Sequence, residues 1–399
     1  MACEQVTLQD VCELIVDCPH TSAKDEGVGY PLIRTPNVGR GRLILTDVHR
    51  VSQDVYERRV SRAVPRQGDL ILAREAPAGN VAIVPPGIEV CLGQRTMLLR
   101  PDSSFVVPEY LNYYLNAPEQ RDRMLRLANG ATVSHINVAD IRNMPVQLPS
   151  RGEQSKVAEL LNVLDDKIDL NNRLNDYLLE LISSVFAHRF SSNVNTTDLK
   201  NVLSISTKAL KPQEHASEIW EHYSIPAFDE KHRPIFEPAS EIKSNKYQID
   251  NECILISKLN PSTKRIWMPY CSSNNAVCST EFIVYRPYLK EYKSFYYAAI
   301  DSPGFTDYLL EHVSGSTGSR QRAQPKDTLH YLMPNPSNEE IKDFCTFADP
   351  IYRHVQINEQ QTAKLELLRD TLLPKLMSGE IDVSKVDLTQ LTNNHLADC

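Results

Sequence analysis

Asp140-Ile-Arg-Asn-Met-Pro-Val-Gln-Leu-Pro-Ser150 and Asp327-Thr-Leu-His-Tyr-Leu-Met-Pro-Asn-Pro-Ser337 align without a gap, and each leads into a long helix-like stretch. Working upstream from this anchor, each copy has a Gly-Thr turn, Gly130-Ala-Thr132 and Gly315-Ser-Thr317, preceded by a helix-like stretch, Pro108 to Leu127 and Tyr292 to Val313. Before these, Cys91-Leu-Gly-Gln-Arg-Thr-Met-Leu-Leu-Arg-Pro101 lines up with Val277-Cys-Ser-Thr-Glu-Phe-Ile-Val-Tyr-Arg-Pro287, and Asp69-Leu-Ile-Leu-Ala-Arg74 with Glu252-Cys-Ile-Leu-Ile-Ser257. Short apolar runs alternating with helical periodicity predict an α+β chain with two duplicated mixed α/β domains. The repeat is far longer than a solenoid unit, so it is a domain duplication.

Downstream of Ser150 the chain is free of Pro and Gly from Glu153 to Phe186. Val157, Leu161, Leu164, Ile168, Asn171, Asn175, Leu178, Ile182 and Val185 recur in steps of four and three, a heptad seam. The second copy reads Phe344, Ala348, Ile351, Val355, Asn358, Thr362, Leu365, Arg369 and Leu372. Leu174, Leu181 and Leu368 are expected to supply core contacts where the seam weakens. Pro350 predicts a kink or break, and Gly379 a stop just after Met377. Two matching helices in one chain favour an antiparallel coiled coil with a pseudo-two-fold relation, Asn171 lying near Asn358. The expected segments are a first domain over 1–150, a helix over 151–190, a second domain over 191–337, a helix over 338–380 and a polar tail over 381–399.

Composition is that of an ordinary globular chain, 41% hydrophobic and 24% charged. The first fifteen residues lack the basic start and apolar core of a signal peptide, and no apolar run is long enough to span a membrane. Nine cysteines without metal-ligand spacing read as reduced thiols of a cytoplasmic protein. The net charge of −8 is concentrated outside the domains: residues 1–150 carry 16 basic against 17 acidic side chains and residues 191–337 carry 16 of each. Near-neutral domains can present basic faces, so charge alone decides nothing about nucleic acid.

Several segments resemble those of type I restriction-modification specificity subunits: Tyr30-Pro-Leu-Ile-Arg-Thr-Pro-Asn37, Gly68-Asp-Leu-Ile-Leu, Gly130-Ala-Thr-Val-Ser-His-Ile, Tyr223-Ser-Ile-Pro-Ala-Phe-Asp229 and, most specifically, Leu368-Arg-Asp-Thr-Leu-Leu-Pro-Lys-Leu-Met-Ser-Gly-Glu380. The resemblance implies that the two domains are target recognition domains, each reading one half of a bipartite site in double-stranded DNA. It implies that the helices act as ruler and dock for two methyltransferase subunits, with two restriction/translocase subunits in the full complex. This chain would hold no cofactor, S-adenosylmethionine, ATP and Mg belonging to the partners. The turn from Gly315 to Arg322 is longer and more basic than its first-domain counterpart, so no recognition sequence carries over.

Base edges are read by Arg on guanine and by Asn or Gln on adenine, while phosphates set position. The candidates are Arg34, Asn37, Arg74, Gln94, Arg95, Thr132, Ser134 and His135 in the first domain. In the second they are Asp229, Lys258, Lys264, Arg265, Thr280, Glu281, Ser316, Ser319, Arg320, Gln321 and Arg322. No phosphate-binding loop, amino-methyltransferase motif or H-E-x-x-H occurs. Asp229-Glu230-Lys231 mimics part of a metal-nuclease motif but lacks a second carboxylate on an adjoining strand pattern, and reads as a strand-end turn. The alternative to a DNA reader is a non-catalytic protein-interaction scaffold, which the net negative charge favours.

Overall fold

The computed structural model describes residues 4–128, 135–190, 195–314 and 321–383. The chain divides into two compact units, Met1–Ile168 with Lys364–Cys399, and Asp169–Ala363, so each expected domain is accompanied by part of both long helices.

Unit 1 is built on a sheet in the order Cys12–Asp17, Thr96–Pro101, Leu70–Ala73, Val81–Ile83, Gly41–Arg42, antiparallel except at the last pair. Leu70-Ile-Leu-Ala73 is buried along its whole length because both faces of the sheet are covered. Leu70 and Leu72 pack with Tyr110, Leu111 and the helix residues Val157 and Leu161, whereas Ile71 and Ala73 pack with Ile33 and Val38. Unit 2 repeats this with Leu203–Ser206, Phe282–Pro287, Ile254–Ser257 and Ile266–Trp267, all antiparallel. Here Ile254 and Ile256 face Phe295, Phe344 and Ala348, and Leu255 faces the other way, onto Trp267 and Cys278. A second sheet, Ala209–Leu210, Lys246–Gln248, Ala276–Ser279, Ile219–Tyr223 and Ile235–Pro238, completes the unit.

The helix-like stretches before the Gly turns are each two helices, Pro108–Asn116 with Pro118–Leu127, and Lys293–Asp301 with Pro303–Glu311. Ala117 and Ser302 are extended because each precedes a proline, which disfavours helical backbone. The long helices run Arg151–Phe190 and Asn338–Met377, 40 residues and about 60 Å each. Both start from the same capping box. Ser150 N donates to Glu153 Oε2 at 2.9 Å and Glu153 N to Ser150 Oγ at 3.4 Å, and Ser337 N donates to Glu340 Oε2 at 2.8 Å and Glu340 N to Ser337 Oγ at 3.3 Å. Pro350 does not interrupt the second helix, contrary to expectation. It sits on the exposed face, so water can reach the Thr346 carbonyl that its missing N–H leaves open. Gly379 stands where the stop was expected, with φ +74° and its N–H on Leu376 O.

Within unit 1 the start of the first helix packs on the end of the second, with Arg369 Nη1 2.8 Å from Asp165 Oδ1. Within unit 2 the end of the first meets the start of the second, with Arg189 Nη1 2.6 Å from Asp343 Oδ2. The pairing is antiparallel. Asn171 and Asn358 are both buried but do not bond one another. Asn171 Nδ2 meets Thr362 Oγ1 at 3.4 Å, and Asn358 Nδ2 meets Asn175 Oδ1 at 2.8 Å. Asn171 aligns with Asn358 and Asn175 with Thr362, so the two contacts are images of each other under the duplication. Val157, Leu161, Leu164, Ile168, Phe344 and Val355 are buried, and Leu178, Ile351, Leu365 and Leu372 partly so. Leu174, Leu181 and Leu368 are exposed instead of supplying core contacts: beside Leu174 the buried Asn171 and Asn175 fill the seam, beside Leu181 Ile182 does, and beside Leu368 Arg369 reaches across to Asp165.

Candidate functional site

In each unit three segments meet at the end of the inner strand. Arg74, just beyond Leu70–Ala73, donates its N–H to Arg95 O (2.8 Å) and accepts at its carbonyl from Ile136 N (3.2 Å). Lys258, just beyond Ile254–Ser257, donates to Glu281 O (2.9 Å) and accepts from Ala323 N (2.9 Å). Lys258 thus stands in the place of Arg74, one residue beyond the Ser257 that the sequence alignment sets there, because the faces of the strand and its backbone bonds decide the register. The hairpin loops that follow close alike, through Ala73 N to Asn80 O and Ser257 N to Arg265 O, both 2.9 Å. Strand end, two-residue turn (Gln94-Arg95 or Thr280-Glu281) and the chain returning from the Gly-rich turn therefore form one junction, built twice. Its backbone bonds are equivalent and its side chains are not.

At the first junction Gly93 lets two segments touch: a Cβ there would lie 2.8 Å from Arg34 Cγ and from Ile33 O. This seats Arg34 beside Gln94 and Arg95, with its Nε buried and unpartnered among the described residues. Gln94 Nε2 donates to His20 O at 3.2 Å. Arg95 has left-handed backbone, φ +66°, uncommon for a residue with a side chain, and its Nε is 2.8 Å from Glu75 Oε2. His135 is half-buried next to Ile136. At the second junction Arg322 Nε and Nη2 reach Glu281 at 3.0 and 3.3 Å, bonds that push the guanidinium pKa above its usual range. Asn260, also left-handed at φ +48°, donates its N–H to Gln321 O. Thr280 and Lys258 are half-buried.

Other expected base readers are occupied within the chain. Asn37 is buried, its Oδ1 accepting from Arg34 N and its Nδ2 donating to Ile44 O, so it holds a turn. Arg74 is only 13% exposed; Nη1 grips both oxygens of Asp17 and Nε donates to Ile136 O, so it ties the junction together from inside. Arg265 holds Asp229 through Nε and Nη2 at 2.5 and 2.9 Å. Asp229 itself lies in the helix Ile225–Lys231, not in a strand-end turn. Lys264 is bound to Asp301 Oδ1 at 2.6 Å, while burial raises the pKa of that carboxyl. Thr132, Ser134, Ser316, Ser319 and Arg320 lie outside the described residues. Glu75 was missed by the sequence reading, although it directly follows Arg74.

Among the described residues no helix is long and apolar enough to cross a membrane, and no group of His, Cys, Asp and Glu is placed to hold a metal.

Residues 2–180 match the family model described as the type I restriction modification DNA specificity domain. The type I restriction enzyme MjaIX specificity subunit of Methanocaldococcus jannaschii is 21% identical over 372 residues, 85% of this chain and 84% of that protein. The StySPI specificity subunit of Salmonella potsdam is 23% identical over 409 residues, 90% of this chain and 86% of its own. The crystal structure of the S subunit of a type I system from M. genitalium has the same fold, with a TM-score of 0.57 at 16% identity over 94% of this chain and 96% of that one. The domain match over residues 2–180, the two near full-length relatives and the shared fold all make this chain similar to type I restriction-modification specificity subunits.

Proposed function

We propose that this chain reads a bipartite duplex DNA target, one half-site per domain, and brings two methyltransferase subunits to it, with two restriction/translocase subunits in the full complex. Specificity subunits are a non-catalytic family. Chemistry would therefore reside in the partners, which would carry S-adenosylmethionine, ATP and Mg. The observation that carries the reading is the junction built twice with one set of backbone bonds and two sets of side chains. A rigid strand end presenting Arg, Gln, Lys and Thr suits hydrogen bonding to base edges, and changing the side chains while keeping the scaffold suits two different half-sites.

The docking of partners draws on the long helices. Leu170, Leu174, Tyr177 and Leu181 are exposed in steps of four, three and four, a second heptad stripe beside the paired seam. Ile357 and Leu368 are exposed at the corresponding places of the second helix. Exposed apolar stripes of this kind mark contact surfaces. The same stripe also suits the alternative, a scaffold that binds only proteins. Duplex DNA binding decides between them: a DNA reader loses affinity steeply between about 50 and 200 mM salt through counterion release. Co-expression with cognate partner subunits followed by genome-wide mapping of methyladenine should give one two-part motif. Absence of salt-dependent duplex binding, with no such motif, overturns the proposal.

A further inference from the structure

Each junction carries an arginine lying over a more sheltered glutamate. In unit 1 the Arg95 side chain is 55% exposed and Glu75 21%; in unit 2 Arg322 is 45% exposed and Glu281 29%. Other arginine–carboxylate pairs are arranged differently. Arg74–Asp17, Arg100–Asp69 and Arg369–Asp165 are largely sheltered, no arginine among them being more than 25% exposed, and in Arg42–Asp166 and Arg189–Asp343 the acid is the more exposed partner. The two junction pairs also do not descend from one ancestral pair. Glu75 follows the inner strand and Arg95 stands in the two-residue turn, whereas Glu281 stands in that turn and Arg322 follows the Gly-rich turn. The same arrangement has been assembled from different positions.

We infer that Glu75 and Glu281 are specificity-determining positioning residues, each serving as a pedestal that aims its arginine at a base edge and withholds it from phosphate. A guanidinium has two edges able to form paired hydrogen bonds. Glu281 holds Arg322 through Nε and Nη2, and it is a guanidinium edge of this kind that pairs with guanine O6 and N7. The pedestal fixes the plane of the fork, so less freedom is lost when it meets a base. Its negative charge also offsets the arginine's attraction to the backbone of any sequence, which lowers non-target binding more than target binding. The left-handed backbone of Arg95 is held by the junction itself, where its carbonyl accepts from Arg74 N.

This inference rests on the proposed DNA-reading function, and the test separates the two. The full chain with its partner subunits is titrated with a duplex bearing the motif found by methylation mapping and with a scrambled duplex, across a range of salt. For Glu281→Gln, of the same shape but uncharged, the target-to-scrambled affinity ratio should fall about tenfold. The salt slope on scrambled DNA should steepen by about 0.9, as one more cation becomes available to phosphate. Methylation should become degenerate in one half-site, and Glu75→Gln should do the same in the other. Unchanged ratio and slope in variants whose parent discriminates its target would overturn the pedestal role alone. A parent complex that discriminates no duplex would overturn the DNA-reading function itself. A ratio that falls with an unchanged salt slope would reduce the glutamates to structural supports, which also overturns the inference.

Discussion

The two units share a backbone plan and secure it by different chemistry. Unit 1 uses ions: Arg74 is locked to Asp17 under its junction, and Asp165 is held between Arg369 and the Tyr113 hydroxyl on the helix pair. Unit 2, where the arginine and lysine pairs among the described residues each leave at least one partner exposed, uses aromatic rings where unit 1 has sheltered ions. Phe186, Phe190, Phe295 and Phe344 lie with ring centroids 5.2 to 5.9 Å apart, tilted or edge-on. At the position of Arg74, unit 2 has Lys258, which no acid among the described residues draws beneath the surface. What the duplication conserved is the set of main-chain bonds that make the junction. Both the support beneath it and the side chains above it were free to diverge.

Phe344→Ala tests this most severely. Phe344 is fully buried at the centre of the ring cluster, and its loss should cost about 3–5 kcal/mol by chemical denaturation. The aligned residue in unit 1 is Val157, where Val157→Ala should cost about 2 kcal/mol because fewer atoms leave the core. Equal losses would show that unit 2 does not depend on its rings. Next comes Asp17→Ala, which strands Arg74 in a largely sheltered site and should cost about 3 kcal/mol. Raised salt should do little to that pair, since sheltered charges are screened less than exposed ones. A loss below about 0.5 kcal/mol would place the ion pair with ordinary surface bridges.

The polar layer of the helix pair offers a smaller effect. Asn358→Leu leaves Asn175 Oδ1 without its donor and should cost about 1–2 kcal/mol. Adding Asn175→Leu should recover part of the loss, since two apolar residues need no partners, at the expense of a unique register. A double-mutant cycle reads the coupling directly. Additive losses would mean that the bond between Asn175 and Asn358 contributes nothing of its own.

How much of this was legible in the sequence follows from what each signal depends on. The main seam positions and the paired anchors at Asp140 and Asp327 are local or periodic, and the structure has the anchors and the buried seam residues where the sequence places them, whereas Leu174, Leu181 and Leu368 turn outward. Asn37, Arg74 and Arg265 were read by their donors, whereas their partners decide their roles. Asp17 is 57 positions from Arg74 and Asp229 is 36 from Arg265, distances at which no periodicity reports. Pro350 misled for a related reason: its effect depends on which face of the helix meets water, and that is a tertiary property. Glu75 went unnoticed because a carboxylate beside an arginine in sequence is ordinary. Only its position under Arg95 distinguishes it.

The last prediction has the smallest effect on folding and bears directly on the comparison. Lys258 and Arg74 occupy the same place at their junctions, yet Lys258 is half-buried and no acid among the described residues locks it. Lys258→Ala should therefore change stability by no more than about 0.5 kcal/mol, whereas Arg74→Ala should be destabilising because Asp17 would lose its partner. On DNA the order reverses. Lys258→Ala should weaken binding of the motif-bearing duplex by about 1 kcal/mol, roughly fivefold, and only in the half-site read by unit 2. The salt dependence says how the amine acts. A slope shallower by about 0.9 on every sequence marks a phosphate contact, and an unchanged slope with relaxed methylation at one position marks a base contact. If Lys258→Ala instead unfolds unit 2 while leaving both half-sites equally bound, the second junction is held together as the first is, and the contrast between the units fails at this position.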